Sequence, residues 1–369
     1  MSKEMKKPKL TDEQLLNAMI RLGGKVTATE LAQVLGFPDR TIRYRIKRLY
    51  EKNLLGRVWP QTLDSKIGLG DLNLFLDISE RYRFLPREFL FCFPNFYANY
   101  AIYGRYNGCS TAAGFPVGNP QAIDRIVRAM KRMGIINDSY TFITNDFVSM
   151  AGDLSKYKHG VGWNWDWTEW GNQSEKILKV GEKFSLEFDM NPAPFDYDHK
   201  DIEIIAELKM FGGNLTHKEL SKRIDLSETQ IGVRIRRLRE AGVLKGYIWL
   251  TEMTPNMVAV FTHIEVDGPD DPVLSCFQHL PFRREYLMES ADKFCIRLTI
   301  DSSDLVGYLK GLETIRSHCR SCFVQIAVSL KVIPGGMYGF YHLHDETTGK
   351  WEIPVEESIQ KLEKFIEDY

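Results

Sequence analysis

One stretch limits what this chain can fold into more than any other. Thr216 to Leu250, THKELSKRIDLSETQIGVRIRRLREAGVLKGYIWL, reads as two successive helices, a turn and the start of a strand. Thr216 and Glu219 have the spacing of a capping box, in which hydroxyl and carboxylate each take a backbone N–H that the start of a helix leaves unsatisfied. Leu220 and Ile224 then share a face. Leu226 closes the turn, and Ser227 is a natural cap for the next helix. In that helix Ile231, Ile235 and Leu238 form a buried stripe, while Thr229, Gln230, Arg234, Arg236 and Arg237 fall on the other face. Gly242 suits the position just past the helix end. The same design occurs earlier in the chain. Thr27, Glu30, Leu31, Ile42, Arg45, Ile46, Arg48, Leu49, Glu51 and Leu55 match Thr216, Glu219, Leu220, Ile231, Arg234, Ile235, Arg237, Leu238, Glu240 and Leu244 at one constant offset. A repeat of that length, with caps and core in register, implies an internal duplication.

The remaining segments fall into place around the repeat. Leu15, Leu16 and Met19 give a first helix to one copy, and Ile204, Ile205 and Leu208 give it to the other. A strand and turn near Pro60 would supply a wing. Residues 1–68 and 198–254 are thus expected to be winged helix-turn-helix domains, with Met1 to Leu10 a solvated basic arm. Residues 69–150 and 255–334 each read as β-α-β-β-α-β, the split order of ferredoxin-like domains. The expected fold class is α+β, two winged helix-turn-helix domains alternating with two ferredoxin-like domains. Residues 151–197 form a connector in which Trp163, Trp165 and Trp167 alternate, as on one face of a strand, and should pack on a neighbouring domain. Residues 335–369 read as a hairpin around Asp345–Gly349 and a helix with Ile359, Leu362 and Ile366 on one side.

Bulk properties narrow the function. A chain of 369 residues exceeds a single core. The net charge of -1 conceals basic residues gathered in the two recognition-like helices, and local fields, not totals, steer nucleic acid. The 6 cysteines lack the spacing of a secreted disulfide framework, which implies a reducing compartment. The N-terminus has no apolar core of a signal peptide, and no run of about 18 apolar residues could span a membrane. A cytoplasmic, nucleoid-associated location is expected.

Asp201, Ile204-Ile205, Lys218-Glu219-Leu220-Ser221, Asp225-Leu226-Ser227, Arg234-Ile235-Arg236-Arg237-Leu238, Glu240, Gly242-Val243-Leu244 and Gly246-Tyr247 together resemble the leucine-responsive/asparagine-operon (Lrp/AsnC) regulators. The first copy is more divergent, with Phe37-Pro38 in place of Leu226-Ser227. The whole resembles two such regulators fused head to tail. The resemblance implies a sequence-specific regulator of double-stranded DNA, homodimeric or larger, that senses a small molecule between its ferredoxin-like domains. DNA would meet Arg40, Thr41, Arg43, Tyr44, Arg45, Lys47 and Arg48 in one head, and Ser227, Thr229, Gln230, Arg234, Arg236 and Arg237 in the other. Arginine can pair with guanine and glutamine with adenine; Lys47, Arg48, Lys52, Arg236 and Arg237 suit phosphates better. The effector turn of the family corresponds to Gly104, Tyr106 and Asn107, and its second copy keeps Asp292.

Other constellations carry less. His318-Cys319-Arg320-Ser321-Cys322 offers two thiolates where structural zinc needs four ligands, and on a strand Cys319 and Cys322 would face opposite ways. No metal or cofactor is expected. His342 and His344 would share one face of the tail hairpin. Phosphate loops, nucleophile elbows and HExxH are missing, so no catalytic residue and no enzyme activity is expected. An alternative arises from the same architecture, because siroheme decarboxylases resemble Lrp/AsnC regulators and also come as two related halves. There Arg81, Arg83, Arg87, Arg105, Arg283 and Arg284 would be the residues to hold a tetrapyrrole.

Overall fold

A computed structural model describes residues 10–51, 55, 56, 58–153, 156–158, 162–249, 256–269, 271–332 and 340–369. Residues 1–9 of the expected basic arm and Lys52 lie outside these; Leu10, the arm's last residue, is not solvated but buried in the first head's core. The architecture is α+β, with two winged helix-turn-helix heads alternating with two ferredoxin-like units. Helices begin where side chains can close their first turns. In the first head, α1 (Asp12–Leu22) and α2 (Ala28–Leu35) open with capping boxes of Thr11 with Gln14 and Thr27 with Glu30, and α3 (Asp39–Glu51) follows. After β1 (Val58–Thr62) come the strands of the first unit, β2 (Leu69–Ile78), β3 (Ala98–Gly104) and β4 (Gly108–Pro116), then α4 (Gln121–Arg132), β5 (Ile136–Thr144) and β6 (Asp146–Met150). The connector holds the short pair β7 (Tyr157–Lys158) and β8 (Gly162–Trp163), and α5 (Trp167–Val180). The second head is α6 (His199–Phe211), α7 (His217–Ser221), α8 (Glu228–Glu240) and β9 (Leu244–Trp249), each helix again opened by a capping box. The second unit is β10 (Met257–Glu265), β11 (Arg283–Met288), β12 (Lys293–Asp301), α9 (Leu305–Arg316) and β13 (Ser321–Val332). The tail holds β14 (His344–Asp345), β15 (Lys350–Trp351) and α10 (Val355–Glu367).

The two units share one nine-stranded sheet, in the order β5-β2-β4-β3-β13-β10-β12-β11-β6. Its end strands are consecutive in the chain. Asn145 alone separates them, and its backbone N–H donates to Met288 O at 2.8 Å. The sheet therefore rolls up, and its halves meet face to face, with the Phe75 and Phe261 rings 5.5 Å apart. Outside the roll, Leu72, Leu74 and Leu76 pack under α4 and α10, and Val260, Ile296 and Leu298 pack under α5 and α9. The helices that cover the units are exchanged. The connector after the first unit covers the second, and the tail after the second covers the first. The predicted face of α10 is the one used, with Ile359 and Leu362 in the first unit's core.

Three expectations change. The tryptophans pack as predicted, but not from one strand: Trp163 ends β8, whereas Trp167 and Trp170 lie in α5, capped by Asp166. Trp170 is buried, stacks on Tyr308 at 5.6 Å, and donates its indole N–H to Cys276 O at 2.8 Å. An Asp at the N-cap outweighs a short alternation that spans only three tryptophans. The tail histidines part company, because His342 is exposed whereas His344 is buried against His199, Nδ1 to Nδ1 at 3.0 Å. The wings are not separate hairpins. β1 pairs antiparallel with β9, Val58 opposite Trp249 and Gln61 opposite Gly246. Gly24 N–H donates to Tyr247 O at 2.9 Å, and Gly213 N–H donates to Val58 O at 2.8 Å, so each head seats the other's wing strand.

Gly307 and Gly311 on α9 admit this packing. A Cβ at Gly311 would lie 2.5 Å from the Trp170 ring, and one at Gly307 would lie 2.3 Å from Trp167. Gly311→Leu is expected to cost about 1–3 kcal/mol by overpacking, read as a lower urea midpoint and a red shift of tryptophan emission. A variant with native midpoint and emission would contradict the α5–α9 contact.

Candidate nucleic-acid interface and central cavity

The two heads present basic faces built in the same way. On α3, Arg40, Arg43, Tyr44, Lys47 and Arg48 are exposed, whereas Thr41 and Arg45 are half-buried. Tyr44 is 61% exposed, unusual for an aromatic side chain with nothing to cover it. On α8, Thr229, Gln230, Arg236 and Arg237 are exposed. Ser227 is exposed as well but is engaged in the cap, its Oγ accepting from Gln230 N–H at 3.3 Å, while Gln230 Oε1 accepts from Ser227 N–H at 2.8 Å. One repeated arginine has a structural partner in each head. Arg45 meets Asp12 at 2.8 Å, and Arg234 meets Asp198 at 2.8 Å and Asp201 at 2.9 Å. Asp12 and Asp201 are repeat-equivalent, so this arginine braces the third helix against the first. Arg43 pairs with Asp39 at 2.5 Å, and Arg237 lies over the Phe195 ring at 4.7 Å and 3.3 Å from Asp201.

The turn at Gly104–Asn107 is filled from within the chain. Gln325 Oε1 accepts from Tyr106 N–H at 3.1 Å and Gln325 Nε2 donates to Tyr106 O at 2.6 Å. Gly104 has φ +138°, and a Cβ there would meet Val324 O at 2.7 Å. Asn107 N–H donates to Asp77 at 3.0 Å. Asp292 sits in the β11–β12 turn, accepting from Ser290 at 2.5 Å, and no bond joins it to the other three among the described residues.

Sequence reasoning missed a concavity that lies under both heads. A cavity of about 360 Å³ opens between the roll and the heads. The roll contributes Asp71, Tyr97, Tyr100, Arg283, Glu285 and Arg297; the head side contributes Trp59 of β1, Ile248 of β9 and Lys209 of α6, with Asp64 between. Lys209 bonds Asp64 at 2.8 Å, and Tyr341 donates its hydroxyl to Asp64 at 2.7 Å. Tyr97 donates to Asp71 at 2.5 Å. Burial pushes the Asp71 carboxyl up to about 7, against the Tyr97 bond and the Lys209 charge. Burial acts the same way on Glu285, yet Arg297 and Arg283, each 3.0 Å away, hold it below the usual range. Asp64 Oδ1, Ser65 Oγ, Thr144 Oγ1 and Arg297 Nε are buried with no hydrogen-bond partner among the described residues. Buried polar groups in folded proteins are nearly always satisfied, so these atoms point to an occupant, water or solute.

Of the arginines considered for a tetrapyrrole, Arg283 alone lines this cavity. Arg284 is buried instead, donating to the carbonyls of Gln278 at 2.6 Å and Leu280 at 2.5 Å. Arg81, Arg83 and Arg105 are exposed and Arg87 half-buried, all outside the cavity lining. A histidine does occur inside the roll. His263 is ringed by Phe75, Phe142 and Phe323, with Cys295 Sγ 3.8 Å from its Nε2. Burial, and then the Lys293 and Arg105 charges, push it down to about 3, so it is neutral. The cysteine pair also departs from expectation. Cys319 precedes the strand, so strand alternation does not apply, and both thiols pack against the second unit's core. Among the described residues no group of three or more His, Cys, Asp or Glu could hold a metal ion, and no helix is long and apolar enough to cross a membrane.

Comparison with known proteins bears on both features. Residues 197–245 match the family of winged helix-turn-helix DNA-binding domains. None of the curated proteins matches the chain. A crystal structure of the siroheme decarboxylase NirDL with an iron-uroporphyrin III analogue is similar over 96% of this chain and 98% of its own, at TM-score 0.53 and 14% identity. A second crystal structure of NirDL aligns over 97% of this chain and 99% of its own, at TM-score 0.53 and 13% identity. The E. coli AsnC structure covers 38% of this chain and 97% of its own, at TM-score 0.29 and 18% identity. At these identities the likeness is one of fold. It corrects the expectation that the chain is not an enzyme, because an enzyme has this fold over nearly the whole length.

The raised Asp71 has a consequence for stability. The folded state holds its proton more tightly than the unfolded chain, so its contribution is favourable below the unfolded value near 4 and is lost as pH rises through about 7. Asp71→Asn should therefore flatten the fall of unfolding free energy between about pH 4 and 7. An identical pH profile in wild type and variant would show that Asp71 ionises normally.

Proposed function

We propose that this chain is a DNA-binding regulator of Lrp/AsnC type, a tandem duplication whose two heads grip double-stranded DNA together and whose central cavity holds a small-molecule effector. The observation that carries the reading is the pair of exposed basic faces on α3 and α8, each backed by a buried apolar stripe. The match of residues 197–245 to DNA-binding winged helices supports it. In this reading the N-terminal halves of α3 and α8 enter major grooves. Arg40, Tyr44, Thr229 and Gln230 would approach base edges, and Lys47, Arg48, Arg236 and Arg237 would meet phosphates. Arg45 and Arg234 would hold the helices at their angle through Asp12, Asp198 and Asp201. An effector in the cavity would touch the β1–β9 ribbon through Trp59 and Ile248, and so would act on the spacing of the heads. The Gly104–Asn107 turn, already filled by Gln325, is a weaker place for one.

A second reading rests on the Asp71–Tyr97 pair in a cavity walled by Arg283 and Arg297. NirDL is a siroheme decarboxylase of the same fold. Loss of CO2 breaks a carbon–carbon bond and leaves an electron pair on carbon, which must take a proton. A carboxyl group near neutrality in a closed site is suited to give it. Arg283 and Arg297, although paired with Glu285, would hold a substrate carboxylate, and Arg297 Nε has a donor to spare.

Fluorescence anisotropy with a duplex from a selected pool, titrated with salt, tests the first reading. Arg236→Ala with Arg237→Ala should reduce the slope of log K against log salt by about 0.9 for each phosphate no longer neutralised. A slope equal to wild type would remove α8 as the DNA-facing surface. Siroheme added to the purified chain tests the second: a shifted Soret band and CO2 release lost in Asp71→Asn would support it, and no shift would end it.

A further inference from the structure

A cleft of about 450 Å³ separates the two heads, lined by Lys25 and Val26 of the first and by Asn214, Thr216, His217 and Lys218 of the second. Glu228, the first residue of α8, stands at its edge. The cleft thus opens beside the end of α8 that would lead into a groove. Behind it lies an unusual arrangement of cations. The Lys25 ammonium sits 4.3 Å from the centre of the Tyr247 ring, and the Arg239 guanidinium lies 5.5 Å from the same centre. No carboxylate pairs with Lys25 among the described residues. Two cations on one tyrosine, one of them partly buried, repel each other and lack the counter-ion that burial normally demands.

We propose that this junction is a binding site for the phosphate backbone of duplex DNA, with Lys25 and Lys218 reaching across from the two heads to one strand. The proposal rests on the DNA-binding reading and adds to it a binding surface outside the recognition helices. A phosphate entering the cleft supplies the missing negative charge. Glu228 then serves to keep the duplex in register, repelling phosphates from the tip of α8 while the lysines attract them. Duplex fits better than an acidic protein because the site is a shallow, open surface between two reading heads that share one ribbon, with a lysine on each side. Backbone contacts of this kind position the protein without specifying sequence.

The titration state of Lys25 gives an independent readout. Burial and the neighbouring Arg239 push its amine down to about 8. Tyr247 and Arg239 lie against it, and the other titratable groups lining the cleft are His217, Lys218 and Glu228. An arriving phosphate raises the amine again, so complex formation takes up a proton once the pH exceeds about 8. Affinity therefore falls between about pH 8 and 9.5 in wild type.

Anisotropy titrations on the full chain test the proposal. Lys25→Met and Lys218→Ala should each lower the salt slope by about 0.9 and weaken specific and non-specific duplexes alike. Lys25→Arg should restore the slope while removing the fall in affinity above pH 8. A wild-type slope in Lys25→Met and in Lys218→Ala, with DNA binding intact, overturns this inference alone. Absence of any duplex binding by wild type at low salt overturns the regulator reading with it. Tighter binding of single strands than of duplex also counts against the site.

Discussion

The pairing of β1 with β9 is the interaction on which the rest of the structure depends. A winged helix usually closes its wing on itself. Here each head lends its strand to the other, and the N–H groups of Gly24 and Gly213 donate to the borrowed strands. A Cβ at Gly24 would lie 3.0 Å from Tyr247 of the borrowed strand, and one at Gly213 would lie 3.2 Å from Val58, so the close approach favours glycine on both sides. Trp249 of the second head's strand completes the first head's core. The heads are therefore joined by backbone bonds and shared apolar packing, which a flexible linker could not provide.

The same ribbon lies over the mouth of the roll. Trp59 and Ile248 face the cavity, Lys245 bonds Asp146 at 2.6 Å, and Gln61 donates to Ser149 O at 3.1 Å. The half-buried Lys209–Asp64 pair ties α6 to the cavity wall, with Tyr341 of the tail on the same carboxylate. Whatever occupies the cavity thus borders the strap between the heads. In the regulator reading, this puts an effector a short mechanical distance from the DNA-facing helices. In the second reading, a substrate in the cavity would border the same strap.

Much of this was legible in the residues. The capping boxes at Thr27 and Thr216 and the stripe Ile231–Ile235–Leu238 follow from local rules that the fold obeys; so do the two β-α-β-β-α-β orders, except that the first helix of each unit is a short 3-10 helix, Arg87–Cys92 and Pro272–Phe277. What the sequence hid was long-range. Asp71 and Asn73 alternate with Leu72 and Leu74, a pattern that says nothing of what the polar side meets. In the fold that face looks into a cavity because the second unit's half of the same sheet, about two hundred residues on, closes over it. Val58–Thr62 carries no sign of its partner, since strand pairing over so long a separation leaves no local mark. Arg45 and Arg234 looked like base readers because their helix position is right, but an aspartate on the first helix, distant in sequence, holds both. The tryptophan run misled through its alternation, whereas its Asp166 cap and the Gly307–Gly311 spacing on α9 set its true form.

Hydrogen–deuterium exchange across Val58–Thr62 and Leu244–Trp249 tests most directly whether the heads form one unit. The ribbon amides should exchange as slowly as those of the central strands β10 and β12, because opening them requires both heads to separate. Exchange within seconds, as in an unpaired wing, would contradict the account and leave two independent heads on a common base.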